Sequence, residues 1–329
     1  MSLLVKGQMQ DDWLDHEQKA GEFVRLDSQF RNWVTVDGSA GPSGEGGFRA
    51  EPDRYHLYVS LACPWAHRTL IFRKLKGLED CIDVSVVHPH MGGMGWKFAE
   101  YPGATPDLAN GYDYMYQVYL QANPEYSGIV TVPVLWDKQR KTIVNNESSE
   151  IIRMLNSAFN AFTGVDTDYY PENLRDRIDT INTRVYEYVN NGVYRAGFAT
   201  TQHAYETAVD SLFEALDDLE NLLGNHRYLV GDTLTEADWR LFPTLLRFDA
   251  VYYSHFKCNL RRIIDYPNLS NYLRDLYQVP GIAETFNLDH TKQHYYYSHE
   301  SLNPSRIVPK GPLLDFAAPH NRDRFARTG

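Results

Sequence analysis

The clearest pattern of apolar and polar positions along the chain lies at residues 54–89. The run RYHLYVSLA at 54–62 alternates and then becomes apolar, as a strand does, and PWAHRTLIFRKLKG at 64–77 has helical spacing. The run CIDVSVVHP at 81–89 is rich in β-branched residues and predicts a second strand. A strand, a helix and a strand in so short a segment imply a right-handed crossover between two parallel strands.

The next apolar segments extend this unit into a complete domain. The runs VTVPVLWD at 130–137 and KTIVNN at 141–146 predict two strands across a short turn, and ESSEIIRMLNSAF at 147–159 predicts a helix. This order is the thioredoxin-like arrangement of one sheet between helix layers, which we place at 51–160. Residues 1–50 end in a Gly-rich stretch that suits neither a helix nor a central strand, so they predict an extension over the body.

The second half of the chain shows helical patterns alone. After a polar linker at 161–171, apolar stripes predict helices at 172–191, 204–223, 235–249 and 267–278. Thr235 and Asp238 have the spacing of a capping box, in which each side chain bonds the other residue's backbone N–H. The predicted fold class is therefore an α/β thioredoxin-like N-terminal domain plus an all-α domain at 172–300, followed by a C-terminal extension at 301–329.

Composition and charge exclude several classes of function. The 329 residues carry 43 acidic and 32 basic side chains, a net charge of -11, which would repel phosphate backbones and anionic membranes. The start lacks the pattern of a signal peptide and no apolar run is long enough to span a membrane, so we expect a cytoplasmic protein. Three scattered cysteines are too few for a disulfide framework or a thiolate metal site.

The strongest candidate for chemistry is Cys63, at the junction of the first strand and helix. If the helix begins at Pro64, Cys63 is its capping residue, and the free N–H groups of Trp65 and Ala66 point towards the sulfur. These dipoles favour the thiolate, which is the nucleophilic form. The competing interpretation is a buried structural cysteine, which is how we interpret Cys81 and Cys258.

The residues around Cys63 also restrict how such a thiol could be regenerated. Ala66 stands where a dithiol oxidoreductase carries its second cysteine, so no resolving thiol is present in the C-x-x-C sense. A single reactive thiol needs an external thiol, and glutathione is the abundant candidate in cytoplasm.

Two further segments could bind such a tripeptide. Pro133 can take the cis form and turn the backbone of Val132 outward as an edge for an extended peptide. At the next helix start, exposed N–H groups would attract a carboxylate, and Glu147 beside Ser148 would attract an ammonium. The alternatives are an ordinary capping pair at Glu147 and Ser148, and a space-filling Trp96 rather than one that stacks on a ligand.

These segments resemble a known family. The blocks SLACPWAHRT, VTVPVLWD, NNESSEIIRM, NNGVYRAGFAT and LTEADWRLF together look like the glutathionyl-hydroquinone reductases, which are the xi class of glutathione transferases related to the omega class. The resemblance runs through nearly the whole chain. It implies glutathione as co-substrate, no tightly bound cofactor, and usually a homodimer.

The resemblance also assigns roles by matching position. It makes Cys63 the nucleophile and Tyr194 the proton-transfer residue, with Tyr252 and Tyr295 lowering the pKa of the thiol. The implied glutathione site consists of Trp96, Val130, Thr131, Val132, Pro133, Glu147 and Ser148. Ile129 departs from the basic residue of some members, which puts glutathione affinity in question.

Two rival functions use the same sequence features. The first is an omega-type thioltransferase or dehydroascorbate reductase, which would use the same thiolate without needing an aromatic pocket. The second is a non-catalytic glutathione-transferase-like protein that binds hydrophobic ligands or a partner, for which Cys63 would be dispensable. Metal hydrolysis and nucleotide binding lack a matching motif in the sequence.

Overall fold

The computed structural model describes residues 2–10 and 18–325, which form two compact units. The first unit contains residues 2–10, 25–167 and 285–300, and the second contains 18–24, 168–284 and 301–325. Residue 1 and residues 11–17 of the predicted N-terminal extension, and 326–329 of the C-terminal one, lie outside the described residues.

The regular elements are numbered along the chain. The strands are β1 Ser2–Val5, β2 Gln8–Gln10, β3 Gln18–Lys19, β4 Glu22–Phe23, β5 Tyr55–Val59, β6 Asp83–Val86, β7 Gly128–Val130, β8 Val134–Asp137 and β9 Thr142–Asn145. The α-helices are α1 Pro64–Leu75, α2 Met115–Ala122, α3 Ser148–Ser157, α4 Asn160–Thr163, α5 Arg175–Arg184, α6 Gly192–Gly197, α7 Gln202–Asn225, α8 Glu236–Arg247, α9 Pro267–Tyr277 and α10 Leu288–Ser298. Two π-helical turns follow α5 and α8, at Val185–Asn190 and Phe248–Tyr252.

The first unit is built on a four-stranded sheet in the order β6-β5-β8-β9. β5 and β6 are parallel, with Leu57 opposite Val84, whereas β8 is antiparallel to both of its neighbours. Every residue of β5 is buried, which agrees with its central place in the sheet. Helices α1 and α3 pack against each other beside the sheet. The predicted strand–helix–strand unit and thioredoxin-like order are thus present.

The segment predicted as one strand at 130–137 is instead divided. β8 begins at Val134, while β7 lies in a separate sheet and pairs antiparallel with β1, Leu3 opposite Ile129. Pro133 separates the two strands and has no N–H to donate to a ladder, which explains the break. Ser2–Val5, at the beginning of the extension predicted at 1–50, therefore forms strand β1 of the first unit.

The second unit is helical, apart from the β3–β4 hairpin and isolated bridges among its described residues. The helix predicted at 172–191 is divided among α5, a π-helical turn and a short 3₁₀ turn at Glu172–Leu174. None of the helices in the described part of the chain combines the length and apolar character needed to cross a membrane.

Helix α10 was not predicted, and it belongs to the first unit although its residues fall within the predicted helical domain. Its buried residues are largely histidine and tyrosine rather than an aliphatic stripe: His290, Thr291, His294, Tyr295 and Tyr296. A search for aliphatic periodicity therefore passes over it.

The predicted capping box at the start of α8 is confirmed. The carboxylate of Asp238 accepts hydrogen bonds from the Thr235 backbone N–H at 2.9 Å, the Leu229 N–H at 2.9 Å and the Tyr272 hydroxyl at 2.8 Å. The side chain is fully buried, and burial raises the pKa of Asp238 to about 6. One side chain thus links α8, the preceding loop and α9.

We expect the substitution Asp238→Ala to destabilise the protein by about 3 kcal/mol, because it leaves buried donors without an acceptor. Asp238→Asn keeps one acceptor oxygen and should cost less. The free energy of unfolding, measured by urea titration, tests this. If Asp238→Ala lowers the free energy of unfolding by less than about 1 kcal/mol, the Asp238 carboxylate contributes no more than an ordinary solvent-exposed helix cap.

Candidate active site

The predicted nucleophile, Cys63, lies directly before α1, and Pro64 is the first helical residue. The backbone of Cys63 is extended, with φ -75° and ψ 122°, and the residue is half-buried. Its side chain makes no capping hydrogen bond, and the orientation of the Trp65 and Ala66 amides towards the sulfur stays a prediction. Instead, the thiol donates to the carbonyl oxygen of Val132 at 3.4 Å. The sulfur and the segment around Pro133 therefore meet in the first unit.

The peptide bond between Val132 and Pro133 is cis, the form that the sequence analysis allowed, and the outward-facing peptide edge at Val132 stays a prediction. The residues before it are engaged within the first unit. Val130 pairs with Ser2 in the β1–β7 ladder, and the Thr131 carbonyl accepts from the Tyr119 hydroxyl at 3.0 Å. Within 130–133, the backbone group that contacts the Cys63 sulfur is the carbonyl of Val132.

Glu147 and Ser148 lie at the start of α3, where the sequence places them. The carboxylate of Glu147 caps the helix, because it accepts from the Ser149 backbone N–H and hydroxyl, both at 2.9 Å. Ser28 donates to the other carboxylate oxygen at 3.4 Å. Ser148 is buried, and its hydroxyl accepts from the Arg68 guanidinium at 3.3 Å. The capping interpretation is thus realised, and the ligand-binding role stays a prediction.

Trp96 is only 4% exposed, so protein covers most of its ring. The indole stacks on His294, with ring centroids 4.6 Å apart and planes 24° from parallel. Its contact with glutathione stays a prediction. Ile129 lies in β7, and its carbonyl accepts from the Tyr126 hydroxyl at 3.2 Å.

The three predicted tyrosines occupy different units. Tyr194 and Tyr252 belong to the second unit, where their ring centroids are 6.1 Å apart in an aromatic cluster. The other members of this cluster are Phe23, Phe198 and Phe256. Tyr252 lies in a π-helical turn and is fully buried. Tyr295 lies in the first unit on α10, beside the rings of His294 and His299.

The sequence analysis missed a pair of arginines that lie over the ring of Trp65, the second residue of α1. The guanidinium carbon of Arg68 lies 4.6 Å from the Trp65 ring centroid, and that of Arg25 lies 5.0 Å from the same ring. Arg68 is only 1% exposed. Both charges favour anions near the start of α1. The signal in the sequence is a basic residue four positions after Pro64, whereas Arg25 is distant along the chain.

The other cysteines differ from Cys63. Burial raises the pKa of Cys258 far above its usual range, and it also raises that of Cys81. Among the described residues, no group of three histidine, cysteine or carboxylate side chains could hold a metal ion. Burial disfavours the thiolate at the other two cysteines, and the reactive role of Cys63 stays a prediction.

Comparison with known proteins gives consistent matches. Residues 62–158 match the N-terminal domain of glutathione S-transferases, and residues 202–275 match their C-terminal domain. The chain is 58% identical over 324 residues to glutathionyl-hydroquinone reductase YqjG of Escherichia coli K12, covering 98% of this chain and 99% of that protein. It is 56% identical to glutathionyl-hydroquinone reductase PcpF of Sphingobium chlorophenolicum, covering 95% and 96%.

The solved structures agree with the sequence matches. The glutathione-bound structure of YqjG superposes with a TM-score of 0.90 at 56% identity, covering 98% of this chain and 99% of the other. The Xi class glutathione transferase of Natrialba magadii superposes with a TM-score of 0.92 at 50% identity, covering 98% of each chain.

The two roles open to Glu147 can be separated by substitution. Glu147→Gln keeps an oxygen for the helix cap but loses the charge, so we expect stability within about 0.5 kcal/mol and glutathione affinity about tenfold weaker. Glu147→Ala should lose about 1 kcal/mol of stability as well. Urea titration and calorimetric glutathione binding measure the two effects. Unchanged affinity in Glu147→Gln would leave Glu147 as a helix cap alone.

Proposed function

The chain belongs to the glutathione transferase family, in its xi class, and from this premise we propose that it reduces glutathionyl-hydroquinones to hydroquinones at the expense of glutathione. The family and the fold class predicted from the sequence are confirmed by the family and structure matches. The observation that carries the proposal is the thiol of Cys63, placed at a helix start and 3.4 Å from the Val132 carbonyl beside a cis-proline. A thiol so placed can exchange with a peptide bound along that segment.

In the first step, the thiolate of Cys63 attacks the sulfur of a glutathionyl-hydroquinone. A sulfur–sulfur bond forms, the bond between sulfur and the aromatic carbon breaks, and its electron pair stays on that carbon, which takes up a proton. The two sulfurs are oxidised to a disulfide and the ring is reduced to the free hydroquinone. The resemblance assigns the proton donor to Tyr194.

In the second step, the thiolate of another glutathione attacks the glutathione sulfur of the mixed disulfide. Oxidised glutathione leaves and Cys63 returns as a thiolate, so one glutathione is consumed for each hydroquinone released. Ala66 stands at the position of a resolving cysteine, which makes the external thiol necessary. Ping-pong kinetics should result.

The contact seen at the sulfur indicates what else the reaction requires. A carbonyl oxygen only accepts hydrogen bonds, so the contact with Val132 suits the protonated thiol. The thiolate of Cys63 needs hydrogen-bond donors instead of a carbonyl acceptor. We propose that the hydroxyls of Tyr252 and Tyr295 supply them. Glutathione is proposed to bind at Trp96, at 130–133 and at the start of α3. A homodimer and a cytoplasmic location stay predictions of the sequence.

The substitution Tyr194→Phe separates the proposed reaction from simple thiol exchange. We expect kcat/KM for a glutathionyl-hydroquinone to fall about 100-fold, because the leaving carbon loses its proton donor. Reduction of a small glutathione disulfide needs no such donor and should stay within about twofold. Tyr205→Phe, a change outside the aromatic cluster, serves as the matched control in steady-state assays with both substrates.

Equal losses on the two substrates would count against the proposed role of Tyr194 as proton donor. An unchanged kcat/KM on both substrates would favour an omega-type thioltransferase, which does not need the aromatic pocket. Cys63→Ser should abolish both activities, since serine forms no disulfide. Retention of either activity in Cys63→Ser would contradict the proposed mechanism.

A further inference from the structure

Helix α10 buries two histidines that are anchored in the same way. The Nδ1 atom of His294 lies 3.0 Å from the carbonyl oxygen of Pro89, and the Nε2 atom of His290 lies 2.7 Å from that of Pro102. Because a carbonyl only accepts, each of these nitrogens carries the proton. Both prolines belong to the long connection between β6 and α2. The two histidines therefore tie α10 to one connection by equivalent bonds.

The two rings differ in what they touch. His294 stacks on Trp96 at 4.6 Å and meets Tyr295 edge to face at 5.3 Å. His290 meets Tyr101 edge to face at 5.2 Å. The exposed fractions are 7% for His294 and 0% for His290, so both are core residues. Of these two, His294 is the one that contacts two residues proposed for the glutathione and thiolate site.

The orientation of Trp96 depends on this contact. Since only 4% of its surface is exposed, protein packs around most of the indole, and His294 covers part of one ring face. The stack is close to parallel, and His294 is itself fixed by its bond to Pro89. A stacked aromatic pair of this kind has a preferred geometry and resists rotation.

We propose that His294 is a positioning residue, which holds the Trp96 indole and the Tyr295 ring in the arrangement that binds glutathione. The inference rests on the proposed function, which places Trp96 in the glutathione site. His294 acts through its neighbours and does not take part in the chemistry. Without the His294 ring, the Trp96 side chain has to be ordered when glutathione binds, and the entropy lost in that ordering weakens binding.

The test measures glutathione affinity by calorimetry in a Cys63→Ser background, where no mixed disulfide can form. His294→Leu should weaken glutathione binding about tenfold, because both the stack and the ring anchor are lost. His290→Leu is the matched control, since it removes an equivalent carbonyl bond from the same helix. It should lower the melting temperature to a similar extent while leaving affinity within about twofold.

Two conservative variants keep the test decisive if His294→Leu does not fold. His294→Phe retains a ring for stacking, and His294→Gln retains a donor for Pro89 without a ring. We expect the affinity of His294→Phe to lie closer to that of the parent than the affinity of His294→Gln does. The reverse order, or equal weakening by His294→Leu and His290→Leu, would overturn the proposal.

A Trp96→Leu variant separates this inference from the function it rests on. Unchanged glutathione affinity in Trp96→Leu would refute the positioning role even if the reductase activity stood. Conversely, a parent protein that releases no hydroquinone would refute the proposed function. The glutathione affinities of the His294 and His290 variants would still test the positioning role of His294.

Discussion

The contact between the Cys63 thiol and the Val132 carbonyl is the constraint on which the proposed chemistry depends. The register of the sheet produces it, because Tyr58 of β5 lies opposite Val134 of β8. The chain leaves β5 towards the start of α1 and enters β8 from Pro133, so both segments meet at the same edge of the sheet. The junction between β5 and α1, which carries Cys63, and the start of β8 at Pro133 therefore form one site, in which the thiol lies beside the Val132 backbone.

The residues to which the proposed function assigns roles are found in both units. The first unit contributes the thiol, the cis-proline segment, the capped start of α3 and the helix α10, which carries Tyr295 and the ring that stacks on Trp96. The second unit contributes an aromatic cluster around Tyr194. Thiol exchange uses the thiol of the first unit together with the thiolate donors proposed at Tyr295 and Tyr252. Release of an aromatic carbon also requires a proton donor, which is why the proposed substrate class depends on the tyrosines.

The sequence predicted correctly the features that depend on interactions between neighbouring residues. The first helix, its proline start and the Thr235–Asp238 box are set by neighbouring residues, and all three are present. Pro133 marks the break within 130–137, but the move of its first residues into a second sheet was not predictable, because it depends on pairing with β1 more than 100 positions away in the sequence. Helix α10 was missed because histidine and tyrosine form its buried face. At Glu147, capping and ligand binding favour the same residue type, so sequence alone could not choose between them.

The central claim is that the sulfur of Cys63 receives glutathione from the substrate. Intact mass spectrometry after one equivalent of a glutathionyl-hydroquinone, with no free glutathione present, tests it most directly. The account predicts one glutathionyl group per chain on the peptide that contains Cys63, together with one equivalent of free hydroquinone. Hydroquinone release from an unmodified chain, or attachment at Cys81 or Cys258 instead, would contradict it.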